Sequence, residues 1–196
     1  MRDAPTGPTR RAPRQRRSRQ TVDAVLDAVR LVLERHGPDA VTTNRIVEAA
    51  GVSIGTLYQY FPDKQAIYRA LHQRHVDEVS VVIERALADR GSSSLEDFAC
   101  TLTHALALVH AADPELHLLV TALVPEGPAG FRAALFETFE QVIEPTDERA
   151  KRLLFVLPNL IEGLVHGLVQ PPAFLSRASA IEASVEAVRA HLRTAY

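Results

Sequence analysis

Residues Thr42 to Phe61 constrain the fold more tightly than any other part of the chain. Two short apolar-periodic runs flank Gly51. Before the glycine, Ile46, Val47 and Ala50 fall on one helical face; after it, Leu57 and Phe61 stand four apart and share another. Thr42 or Thr43 can cap the first run, and Ser53 can cap the second. Gly51 can adopt the left-handed backbone that turns the chain, while apolar Val52 plugs the angle between the runs. Two short helices joined by a glycine-containing turn of about three residues make a helix-turn-helix.

A longer helix precedes this unit. Val22, Val25, Leu26, Val29, Val32 and Leu33 recur at helical spacing, Ser18 is a candidate N-cap, and His36-Gly37-Pro38 stops the helix. Residues 1–17 are different. Arg2, Arg10, Arg11, Arg14, Arg16 and Arg17 face only Asp3 there, among Pro, Thr and Gly with no apolar period. Such a segment buries too little to offset its ordering entropy, so a disordered basic arm is expected. The arm either solubilises the chain or touches nucleic-acid phosphate or the minor groove.

The outer face of the helix after Gly51 presents Ile54, Gly55, Thr56, Tyr58, Gln59 and Tyr60. This face is small, aromatic and hydrogen-bonding, and it contains no acid. Small residues let a backbone approach DNA closely, hydroxyls reach phosphates, and Gln can pair with adenine. Asp63 can cap the following helix, whose positive end together with Lys64 suits a phosphate. Charge supports the same reading. Residues 1–75 hold 13 Lys/Arg against 7 Asp/Glu, a net +6, whereas residues 76–196 hold 9 against 17, a net −8. A basic first third on an acidic remainder suggests a polyanion-binding module joined to something else. The bland alternative is two helices that merely pack, with Tyr58 and Tyr60 lying on a neighbour.

The run Thr42-Thr43-x-x-Ile46-x-x-x-Ala50-Gly51-Val52-Ser53-x-Gly55-Thr56-Leu57-Tyr58-x-Tyr60-Phe61-Pro62-x-Lys64 resembles the tetracycline-repressor (TetR) family of transcriptional regulators. The likeness is ungapped over roughly residues 18 to 71. It implies an all-α fold: a three-helix DNA-binding domain over 18–75, then a helical effector-binding and dimerisation domain over 76–196. It also implies DNA contacts at Thr43, Ile54, Gly55, Thr56, Tyr58, Gln59, Tyr60 and Lys64. Of these, Thr43, Thr56, Tyr60 and Lys64 would mostly sit on phosphates, with Ile54, Gly55, Tyr58 and Gln59 nearest the base edges. Ile54 has no hydrogen-bonding group and could make only apolar contact, for example with a thymine methyl. The implied partners are a palindromic double-stranded operator, a small-molecule effector and a second copy of the chain.

Beyond residue 75 the pattern is helical throughout. One long helix is expected from Lys64 to about Arg90, followed by a break at Gly91-Ser92-Ser93-Ser94 and a capping box from Ser94 to Asp97. Asp113-Pro114 starts a short helix, and 125–130 reads as a loop. The stretch from Thr146 to about Gln170 is the most apolar, and Pro158 should kink or split it. A last helix runs from about Ser176 to Thr194. A helix apolar on more than one face needs more than one neighbour, so 150–192 is the expected homodimer interface. The alternative is that these helices only close the monomer's own core.

Catalytic chemistry has no support here. Cys100 stands alone, and no phosphate loop, nucleophile elbow or zinc-protease motif occurs. His104, His110 and His117, six and seven apart, are not read as one helix face, and His72 and His75 look solvated. Glu162 and His166 are four apart and can face one site, or can be a hydrogen-bonded structural pair. No cofactor and no metal ligand set is assigned. Phe98, His104, His117, Phe139, Phe155, Glu162 and His166 are the candidate effector contacts, because they pair bulk with isolated polar groups on apolar faces. No apolar run approaches the ~18–20 residues of a membrane span, and no signal-peptide core occurs, so a cytoplasmic protein is expected. The expected function is a homodimeric repressor released from its operator by an effector. The alternative is a DNA-binding dimer governed by a protein partner.

Overall fold

The structure is a computed structural model that describes the backbone of residues 11–123 and 127–195, with side chains over 16–119 and 130–194. Among the described residues there are nine α-helices and no strand. The all-α expectation therefore holds. The chain divides into two compact units after Ile67, not at 75.

The first unit contains α1 (Arg11–His36), a 3-10 turn (Pro38–Ala40), α2 (Thr43–Ala50), α3 (Ile54–Tyr60) and the start of α4 (Lys64–Asp89). Helix α1 begins well before the expected Ser18, so Arg11–Arg17 are helical rather than irregular. Arginine is a good helix former, Pro13 sits within the first turn where its missing N–H is tolerated, and the apolar stripe from Val22 onward anchors the rest. The remainder of the expected arm, residues 1–10, lies outside the described residues. Ser18 is consequently no cap; its hydroxyl lies 3.3 Å from the Tyr60 hydroxyl on α3, which donates to it.

The core of this unit is Val25, Leu26, Val29, Val32, Leu33, Val41, Ile46, Leu57, Phe61 and Ile67, each at most 5% exposed. Helix α2 packs on α1, and α3 packs on α2. Thr42 caps α2 by accepting from the Arg45 amide. Gly51 ends that helix in the left-handed region, at φ 64° and ψ 31°. There its N–H donates to Glu48 O at 3.3 Å, and the Val52 N–H donates to Val47 O at 3.1 Å. This pair of bonds is a Schellman turn, which satisfies two end carbonyls that would otherwise lack partners.

The second unit contains the rest of α4 with α5 (Leu95–Ala112), α6 (Pro114–Leu123), α7 (Gly127–Glu140), α8 (Glu148–Gly167) and α9 (Arg177–Ala195). Helix α5 packs on α9 and α8, and α8 packs on α7 and α9. Their buried faces meet in one core that includes Phe98, Leu102, Leu106, Leu135, Phe139, Leu157, Ile161, Val165, Val188 and Leu192. The Ser94 cap forms as expected, accepting from the Asp97 amide at 3.0 Å. Two expectations change. Residues 127–130 belong to α7 rather than a loop, and 124–126 lie outside the described residues. Pro128 stands at the second position of α7, where a fixed φ favours the helix. Helix α8 also runs through Pro158 without being split. Beside the proline, whose missing N–H leaves Leu154 O without its helical donor, the Asn159 side-chain amide donates to the next carbonyl, Phe155 O, at 2.6 Å. No helix among the described residues is long and apolar enough to cross a membrane.

Gly51 can be tested directly. A Cβ there meets nothing within 4 Å, so only the backbone conformation is strained. Gly51→Ala should destabilise the first unit by about 1–2 kcal/mol, measured by urea unfolding. Unchanged stability would mean that the left-handed turn is not held in solution.

Candidate nucleic-acid interface and C-terminal polar cluster

Helix α3 is short, and its orientation follows from which side chains it buries. Leu57 and Phe61 are 1% and 5% exposed and tie the helix down. The same turns carry Ile54, Tyr58 and Tyr60 outward at 43%, 50% and 37% exposure. A bulky apolar residue and two aromatics standing in water at this density mark a surface meant for contact. Gly55 and Gln59 are exposed beside them. Ser53 caps α3 by accepting from the Thr56 amide at 3.0 Å, and its Oγ lies 2.8 Å from the Thr56 hydroxyl. Thr56 is thus half-buried and already oriented by the cap. Thr43 opens α2 half-buried. Asp63 accepts from the Ala66 amide at 2.6 Å, which caps the start of α4 next to exposed Lys64. A Cβ on Gly55 would meet only Ser53 Oγ at 3.8 Å, so packing within the chain does not demand glycine there. All eight expected contact positions therefore lie on α2, on α3 or at the start of α4, with no acidic side chain on α3. The outer face of α3 is thus exposed, hydrogen-bonding and free of acid, the chemistry that a major groove accepts.

The comparisons agree with this geometry. Residues 25–71 match the model of the bacterial regulatory proteins of the tetR family. An uncharacterized HTH-type transcriptional regulator of Mycobacterium tuberculosis is 27% identical over 157 residues, covering 74% of this chain and 77% of that protein. The HTH-type transcriptional repressor KstR of Mycolicibacterium smegmatis is 32% identical over 81 residues, covering 41% of this chain and 37% of that one. A crystal structure of a TetR-family regulator from Streptomyces coelicolor superposes with a TM-score of 0.63 at 21% identity, covering 90% of this chain and 99% of that one. Residues 25–71 therefore form a DNA-binding domain of the TetR family. The chain is a DNA-binding transcriptional regulator.

The second unit gathers polar groups that the sequence pattern kept apart. His75 on α4, His110 on α5, His117 on α6 and His166 on α8 form one cluster of rings. The centroids of His75 lie 4.9 Å and 5.1 Å from those of His110 and His117. His166 lies 5.4 Å from His110 and 5.2 Å from His117. Phe131 on α7 packs against His110 at 5.2 Å and His166 at 5.3 Å. His110 Nδ1 is 2.9 Å from Leu106 O, and His166 Nδ1 is 3.0 Å from Glu162 O. A carbonyl can only accept, so both rings carry their proton on Nδ1 and leave the Nε2 lone pair for the cluster. His117 Nδ1 lies 3.3 Å from His75 Nε2. Burial above all, with the neighbouring imidazoles adding to it, holds His110 and His117 down at about 3; on His110 the hydrogen bond to Leu106 O, second only to burial, pulls the other way. His110 and His117 are therefore neutral at physiological pH.

Sequence spacing missed His75 and His110. His75 is half-buried rather than solvated. His110 and His117 sit on different helices across the Asp113-Pro114 turn, so a single-helix wheel does not apply to them. Of the candidate effector contacts, His117 and His166 meet in this cluster, and Glu162 reaches it only through the backbone carbonyl that His166 engages. Glu162 points elsewhere, because Arg132 donates to its carboxylate through Nε at 2.6 Å and Nη2 at 3.2 Å. Phe98 and Phe139 pair edge-on at 5.9 Å within the core. Phe98 also borders an open groove of about 390 Å³ between α4 and α5. His104 is exposed, and Phe155 is 68% exposed, so neither belongs to a buried site with the others. On α5 the face of Phe98, Leu102 and Leu106 turns inward and carries His104 outward.

The cluster makes stability depend on pH. His110 and His117 fold with pKa values of about 3, below the 6.5 of the unfolded chain. Below about pH 6.5 the unfolded chain takes up protons that the folded one refuses, so stability falls as pH falls toward 3. At pH 5, in buffer containing a chelator, the second unit should lose about 1–2 kcal/mol per histidine relative to pH 7.5. His110→Met should flatten this dependence in urea unfolding. An equal loss in the variant would place the effect elsewhere.

Proposed function

We propose that the chain acts as a homodimeric repressor, binding a palindromic operator through α3 of each copy and released by a small-molecule effector. The observation that carries the dimer reading is the outer face of α8. Phe155 stands 68% exposed there, Val156, Leu160 and Leu164 are half-buried, and Gly163 and Gly167 keep the surface low. An apolar stripe with small residues suits close packing of a second helix pair. Two-fold symmetry then presents two recognition helices to two half-sites, which is why the operator should be palindromic. The repressor reading is supported by the likeness to KstR, a named repressor, over 81 residues.

For the DNA contacts, Tyr58, Gln59, Ile54 and Gly55 would reach toward bases, and Thr43, Thr56, Tyr60 and Lys64 toward phosphates. Release by an effector follows from linkage. The effector must bind the conformation unfit for DNA more tightly than the fit one. The polar groups inside the second unit, buried His117 and half-buried His166 among them, are where such a ligand finds specificity.

Selection of bound duplexes from a random DNA pool, at one stated salt concentration, should enrich a single palindrome. Binding that is unselective and fades steadily with salt would reduce the chain to a phosphate binder. Against the selected site, Tyr58→Ala should weaken binding at least about tenfold, a single lost base contact being worth roughly 1–3 kcal/mol. Gly55→Leu should abolish selective binding, yet leave stability unchanged or raised by up to about 1 kcal/mol. A Gly55→Leu chain that still binds the site would refute close approach of α3 to DNA.

The dimer face has its own test. Phe155→Glu changes an exposed side chain, so the monomer should keep its fold by circular dichroism. Sedimentation should shift from dimer to monomer. A dimer that persists at low micromolar concentration would move the interface away from this face of α8.

A further inference from the structure

The histidine cluster has a geometry that hydrogen bonding alone does not require. Three imidazoles from three helices point nitrogens at one another: the donor atoms of His75, His110 and His117 all lie within 4.8 Å of each other. His110 and His117 are 1% and 8% exposed. We propose that His75, His110 and His117 bind a divalent first-row transition-metal ion, zinc above all.

The distances fit. Zinc–imidazole bonds of about 2.0–2.1 Å in a tetrahedron place neighbouring nitrogens about 3.3–3.4 Å apart. His117 Nδ1 and His75 Nε2 are already 3.3 Å apart. The third donor, His110 Nε2, closes onto the ion with side-chain movements of about 1 Å, reaching the same bond length. The outer partner is also in place, because His110 Nδ1 faces Leu106 O at 2.9 Å. A ligating histidine is normally oriented in this way, its second nitrogen donating to a carbonyl or carboxylate. In the metal-free chain one proton bridges His117 Nδ1 and His75 Nε2. Both of these nitrogens ligate in the complex, so the proton moves to the other nitrogen of the ring that carried it. No net proton is released.

The donor set also selects the ion. Neutral imidazoles suit zinc, nickel, copper and cobalt, whereas magnesium and calcium require oxygen ligands. The nearest carboxylate of α8, on Glu162, is taken by Arg132. Cys100 lies against Val185 O on another part of the fold, so no thiolate joins the set. The fourth position faces His166, whose ring stands within 5.4 Å of two of the three ligands. It is filled by His166 or by water.

The untagged, full-length chain, stripped with a chelator and exchanged, provides the test. Zinc chloride titrated in competition with a chromophoric chelator should show one ion per chain. Cobalt chloride should give the intense visible bands of a tetrahedral nitrogen site. His75→Ala and His117→Gln should each weaken zinc binding by more than about a hundredfold, beyond the loss expected for an outer partner alone. Their circular dichroism should match the parent. Absence of saturable binding overturns the proposal. So does binding kept within about tenfold in the His75→Ala/His117→Gln double variant, which would point to surface histidines. Weak octahedral cobalt bands in the parent chain overturn it too, whether or not the variants fold. The measurement uses no DNA, so its failure leaves the operator reading intact, and failure of operator selection leaves the ion site intact.

Discussion

The direction of α3 depends on one backbone conformation, the left-handed turn at Gly51. Two hydrogen bonds close that turn, and they fix where the next helix begins. From there Leu57 and Phe61 have one way inward, toward the face built by α1 and α2. Burying each contributes about 1.5–3 kcal/mol. Once they are inside, the helical period leaves Ile54, Tyr58 and Gln59 outside. The exposed chemistry of α3 is thus the complement of its buried chemistry. A side chain can be changed on the outer face without touching the fold, and the turn cannot be changed without turning the face.

This unit was legible in the sequence because its determinants are local. Thr42, Ser53 and Asp63 act on amides within three residues of themselves. Gly51 and Val52 act within one turn. The start of α1 was not legible for a matching reason. Residues 11–17 carry no apolar stripe and no cap, so periodicity has nothing to register, although arginine tolerates a helix well. Helical propensity extends an anchored helix backward without leaving a pattern. Likewise the Ser18 hydroxyl looked like a cap, and its partner proved to be Tyr60, distant in the chain.

In the second unit the helices were legible and their mutual arrangement was not. An apolar face says that a helix packs, never against what. His104 and His110 looked alike as isolated polar residues on α5, but one faces solvent and the other lies buried among aromatic rings. His75 and His117 are 42 residues apart in sequence and 3.3 Å apart in space. Arg132 and Glu162, 30 residues apart, are no easier to pair from the sequence. Only the stacking of helices brings such groups together. Within one helix the i, i+4 rule did pair Glu162 with His166, but through the Glu162 backbone carbonyl rather than its carboxylate.

That last distinction decides what the cluster is. A carboxylate facing the imidazoles would favour their charged forms and raise their pKa values. The cluster would then be a set of buried ion pairs, held by charge and closed to other cations. Instead, Arg132 engages both oxygens of Glu162, and the groups that act on His110 and His117 are other imidazoles and a backbone carbonyl. The rings are left with lone pairs rather than charge. Neutral imidazoles cost far less to bury than imidazolium ions, and Nδ1 of His110 and of His166 faces a carbonyl one helical turn back, while Nδ1 of His117 faces His75. Arg132 therefore acts on the histidines without touching them. By occupying both oxygens of Glu162, it keeps that carboxylate off the imidazoles, and burial then holds His110 and His117 neutral, the state in which their nitrogens can serve as donors to an ion.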